Sequence, residues 1–148
     1  DLKAAFVYQF LAYVTWPPAK AQQEPLIIGV IGAGELANNL AALAADEAFA
    51  SRPIEVLRLG SDDDPRGLHV LFVAEDESAA SVALLREAAD NGVLTITEAN
   101  PRPADAMINF EIVDSKVRFE VALGRVRASG MDISARLLGV ALRVVEGP

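Results

Sequence analysis

The 148-residue sequence contains no cysteine. Disulfides and thiolate metal sites are therefore excluded. It holds one histidine, His69, so a histidine-rich metal site is impossible and a Ser/His/Asp triad is barely available. No apolar run reaches the ~20 residues needed to span a bilayer, and direct membrane insertion is not expected. Positive charge is scarce, with 13 Lys and Arg against 21 Asp and Glu and a net charge of −8. Phosphate backbones would be repelled on average, so nucleic acid is not an expected partner. A starting methionine is missing too. The chain begins at Asp1, as expected of a secreted chain whose signal peptide has been removed, or of a truncated piece.

What is present is apolar. Hydrophobic residues make up 52% of the chain, and mean hydropathy is +0.28. Disorder is not expected from such a composition, and the length suits one domain, residues 1–148, with a real core. Charge is uneven. Residues 116–148 hold six bases against three acids, +3, which leaves −11 for the rest. A basic tail face is suited to an acidic partner or a small anion, although a solvated helix face explains it more simply.

Hydrophobic periodicity predicts a first helix over residues 3–15, stopped by Trp16-Pro17-Pro18. Val7, Leu11 and Val14 mark one side of it; Phe6, Phe10 and Tyr13 mark another. A helix apolar nearly all round must be covered nearly all round, which implies a second subunit or a partner. Short apolar runs at 26–31 (LIIGVI), 69–74 (HVLFVA) and 93–97 read as buried strands. Residues 54–59 alternate like a half-buried strand. Helices are expected at 35–45, after Ser78 as its cap to Asn91-Gly92, and from Ala122 to about Ala128. Residues 107–113 and 116–121 flank Asp114-Ser115 as a hairpin. Ser134 should cap a last helix whose buried stripe is Leu137, Leu138, Ala141, Val144 and Val145. Alternating strands and helices predict an α/β three-layer sandwich, with a mainly parallel sheet plus a C-terminal antiparallel hairpin.

Gly32-Ala33-Gly34-Glu35-Leu36-Ala37 matches G-x-G-x-x-A between a strand and a helix, the setting of a dinucleotide fingerprint. Glu35 puts negative charge where phosphates would sit, and the second strand ends in Arg58-Leu59 in place of an acid. A tight strand-to-helix turn is the preferred reading. A small-ligand or nucleotide site near Gly32, Gly34, Arg58 and Glu75 is the alternative. His69 opens an apolar strand and reads as a structural histidine bonded to backbone. Asp62-Asp63-Asp64 lacks the glycine and distal Glu of a calcium loop and reads as a solvated turn.

Three segments together resemble the YfiR-like family of bacterial periplasmic proteins. They are residues 3–17, which end in Trp16-Pro17; residues 68–73 around His69; and the run from Met107-Ile108-Asn109-Phe110 through Val117-Arg118-Phe119-Glu120 to Ile133–Leu138. Leu68 stands where the family usually has cysteine, so redox tuning of that kind cannot operate here. Ala104-Asp105-Ala106 and Ala122 also depart from the family's Gly-Gly and Asn. The resemblance implies a periplasmic, self-associating, non-enzymatic α/β protein. It further implies a homodimer that restrains the periplasmic sensor domain of an inner-membrane diguanylate cyclase, lowering cyclic di-GMP and biofilm formation. On that expectation no catalytic residue, cofactor or metal is assigned. Phe6, Phe10, Tyr13 and Trp16 would be aromatic anchors for a partner, with Met107, Ile108 and Arg118 as a second surface.

Overall fold

Apolar strand residues alternate between two cores, and that alternation builds the layers. In the computed structural model, which describes residues 2–46 and 52–146, the parallel strands β2 (Leu26–Ile31), β3 (Ile54–Leu59), β4 (Val70–Val73) and β5 (Leu94–Thr97) run beside β6 (Ile108–Val113). β7 (Lys116–Ala122) then pairs antiparallel with β6, and β9 (Arg143–Val145) pairs parallel with β7. The seven-stranded order is β3-β2-β4-β5-β6-β7-β9. Ile28, Val30, Val70, Phe72 and Ile96 join a core with residues of α1 (Leu2–Tyr13) and α3 (Gly34–Ala45). Ile31, Leu71 and Val73 face the opposite way, onto Leu84, Leu85 and Ala88 of α4 (Val82–Asp90). The expected three-layer α/β sandwich with a mainly parallel sheet and an antiparallel hairpin is the observed architecture.

The hairpin turns through Asp114 and Ser115, both left-handed at φ 51° and 64°. That is the backbone a two-residue turn needs to match strand twist. Val113 pairs with Lys116, and Phe110 falls opposite Phe119.

Four local expectations are corrected. The first helix stops at Tyr13, because Val14 and Thr15 form β1 and pair with β8 (Asp132–Ile133) in a separate two-stranded sheet. Ser78 does not cap α4. Its hydroxyl donates to the Glu75 carbonyl at 2.7 Å beneath a short 3-10 turn, and α4 begins after Ser81. Ser134 does cap the last helix, accepting from the Arg136 N–H at 3.2 Å. That helix, α6 (Ala135–Leu138), nevertheless ends before Gly139. Beyond the glycine, β-branched Val144 and Val145 find an open strand edge on β7, and the Leu142 N–H donates to the Phe119 carbonyl at 2.8 Å.

The fourth concerns α1. It contacts α3 and α6, and its Phe6 and Phe10 rings sit 5.7 Å and 5.0 Å from Phe119 on the sheet. Three neighbours inside the same chain thus cover an all-round apolar helix. Leu2, Ala5, Gln9 and Ala12 form the exposed line that remains.

Candidate functional site

The residues expected to meet a partner divide by burial. Phe10, Met107 and Ile108 are fully buried, and Trp16 is 4% exposed. All four belong to the core of one subunit, so they offer a partner no surface and the expectation for them is corrected. Phe10 stacks on Phe110 at 5.9 Å. The backbone of Met107 bonds on both sides, to Thr95 and to Ala122. Trp16 gives its indole N–H to the His69 carbonyl at 2.8 Å. Phe6, Tyr13 and Arg118 are half-exposed. Phe6 also leans on Phe110 at 6.0 Å, so α1 presents its backbone line and the flanks of Phe6 and Tyr13, without free aromatic rings.

The glycine motif is a turn. Gly32 has φ +71°, and a β-carbon there would lie 2.9 Å from Ala74 Cβ. Only glycine fits both the backbone and the contact. Gly34 has an ordinary φ, and a β-carbon on it would meet Arg58 Nη1 at 3.5 Å. The Arg58 guanidinium donates to the Asn38 side chain on α3. Gly32, Gly34 and Arg58 are thus brought together at the start of α3. Glu75 lines a different opening.

That opening is a cleft of about 590 Å³ beyond the carboxyl ends of β4 and β5. Sequence reasoning missed it because its lining comes from separate elements with no shared motif. Lys3 on α1 bonds Glu98 at 3.1 Å. Asn109 lies opposite Glu120, and Glu120 opposite Arg143, so these side chains share one sheet face. Arg102 and Arg143 each reach Glu120 at 2.9 Å, and Arg143 also bonds Glu111. Burial works to raise Glu120, but the hydrogen bonds from Arg143 and Arg102 overcome it and hold the carboxyl below its ordinary range. The one readable signal was Asn109 inside an apolar strand. Its amide oxygen accepts from Thr97 Oγ1 at 2.6 Å and the Ala99 N–H at 3.0 Å, and its amide N–H donates to the Ala99 carbonyl at 3.0 Å. The cleft therefore offers guanidinium and carboxylate groups already paired with one another. Such a lining is suited to polar recognition.

His69 is fully buried and bonded to backbone, as its place in the strand predicted. Nδ1 accepts from the Ile27 N–H at 3.1 Å, and Nε2 lies 2.8 Å from the Lys20 carbonyl. Among the described residues no cluster of three or more metal-ligating side chains occurs. No helix of the described residues is long and apolar enough to cross a membrane.

A family model described as YfiR/HmsC-like matches residues 1–142. Comparison with curated proteins gives no match.

Proposed function

The chain belongs to the YfiR/HmsC-like family, and from that premise we propose that it is a periplasmic regulator acting by protein binding. Its partner is the sensor domain of an inner-membrane diguanylate cyclase, which it restrains as a homodimer. The observation that carries this reading is the family match across nearly the whole chain. A physical feature supports it: the exposed line of α1, Leu2, Ala5, Gln9 and Ala12, bears no charge. A surface of that kind is cheap to desolvate on docking. Phe6, Tyr13 and Arg118 are the half-exposed flanking candidates.

Ala12→Arg puts a long cation on that line without touching the core. The expected result is a change from dimer to monomer in light scattering, with at least about tenfold weaker association. Cellular cyclic di-GMP should rise when the variant replaces the parent in cells that carry the membrane diguanylate cyclase. An unchanged mass together with unchanged cyclic di-GMP would overturn the reading.

A second reading, a small-ligand sensor, is favoured by the cleft alone. A thermal-shift screen against nucleotides and other small anions tests it. Loss of any shift in Arg102→Ala would assign the ligand to the cleft, and loss in Gly34→Asp to the start of α3.

A further inference from the structure

A set of buried and part-buried hydrogen bonds ties the segment after α1 to the sheet. Lys20, on α2 (Pro18–Ala21), donates its ammonium to the carbonyls of Leu68 at 2.7 Å and Arg66 at 2.9 Å. Trp16 donates to the carbonyl of His69. The His69 ring bonds back across the same gap, to the Lys20 carbonyl and the Ile27 N–H. A carbonyl can only accept and an amide N–H can only donate. The bonded ring is therefore the neutral tautomer, with its proton on Nε2 and its lone pair on Nδ1.

Adding a proton reverses one of these contacts. Nδ1–H then points at the Ile27 N–H, two donors face each other, and no solvent reaches the buried ring to compensate. The charged groups acting on the ring are Lys20 on α2 and Arg52 ahead of β3, both cations that oppose a third positive charge. From this arrangement we infer that His69 is an acid-sensitive latch, which holds residues 16–21 against the sheet while neutral and releases them when protonated. The latch does not depend on what α1 meets, although the released segment is the one that anchors the end of α1.

The sign follows from the geometry. Burial first, then the Lys20 and Arg52 charges, push His69 below its ordinary 6.5, against the opposing pull of the Lys20 carbonyl. The latch is thus fully stable above 6.5 and weakens as pH falls through that value toward the folded one, because the released state binds the extra proton.

The chain carries its own reporter. It has one tryptophan and one histidine, with ring centroids 5.6 Å apart, and an imidazolium quenches a neighbouring indole. The experiment follows Trp16 emission and amide exchange of the full chain from about pH 7.5 to about pH 5, with exchange corrected for its intrinsic pH dependence. Emission should change along a one-proton curve with its midpoint below 6.5. Protection of the Ile27 amide should fall by up to ~tenfold per pH unit, the limit for one proton, while Leu94 and Ile96 keep theirs. His69→Gln, whose amide can both accept and donate, should flatten both curves. If that variant does not fold, the parent decides alone. Flat curves, or protection lost from β5 together with Ile27, would overturn the latch.

Discussion

Gly32 and Gly34 differ by two positions and have different tasks. Gly32 combines a left-handed φ with a β-carbon position 2.9 Å from Ala74 Cβ and 3.1 Å from Glu77 Cγ. Gly32→Ala should therefore cost about 2–3 kcal/mol, from backbone strain plus overpacking. Gly34 opens α3 with room around it, and Gly34→Ala should be neutral or stabilising by up to ~0.5 kcal/mol, through a less flexible unfolded chain. Urea denaturation of the two variants measures the difference, and equal losses would contradict the turn reading. At this scale the sequence was legible where chemistry is local. A glycine pair between a strand and a helix reads as a turn, and a lone histidine in an apolar strand reads as buried and backbone-bonded. The burial of Trp16 was not legible, because its indole N–H bonds a carbonyl 53 residues away.

Elements were legible in proportion to their hydrophobic pattern. The runs at 26–31 and 93–97 have no other use than buried strand, and the 114–115 turn fixed the hairpin register. The last strand was hidden by a helical spacing of Leu137, Leu138 and Ala141 that Gly139 interrupts, and the pull of an open β7 edge is a tertiary effect. The cleft was hidden for the same reason: Arg102, Glu120 and Arg143 meet only after the sheet forms. Its floor depends on Asn109, which ties β6 to the chain leaving β5. Asn109→Ala removes three buried hydrogen bonds and leaves the Ala99 N–H and C=O and the Thr97 hydroxyl without that partner. The expected loss is roughly 3–4 kcal/mol, read from the urea midpoint, with faster exchange of the Ala99 amide. Asn109→Asp keeps the acceptor but sets a buried carboxylate against the Ala99 carbonyl, so it should not recover that loss. A loss below about 1 kcal/mol in the alanine variant would mean that the 97–99 segment is held by other contacts.

Across the whole molecule, the charge map separates two ways for copies to meet. The bases of the C-terminal third do not form one helix face. Arg125 pairs with Asp105 at 3.4 Å, Arg127 with Asp132 at 3.4 Å, and Arg143 with Glu120 and Glu111. Two of these acids, Asp105 and Glu111, lie outside residues 116–148 and offset part of the +3. The exposed α1 line carries no charge, while each copy carries −8 overall. Association through α1 is therefore opposed only by the repulsion of two acidic molecules, which salt screens. Raising ionic strength from about 50 mM to about 500 mM should leave the proposed dimer unchanged or tighten it. A contact through the sheet face around Arg118 would instead rest on exposed ion pairs and loosen over the same range. Sedimentation at the two salt concentrations distinguishes them, and a dimer that falls apart at the higher one would transfer the interface from α1 to β7 and β9.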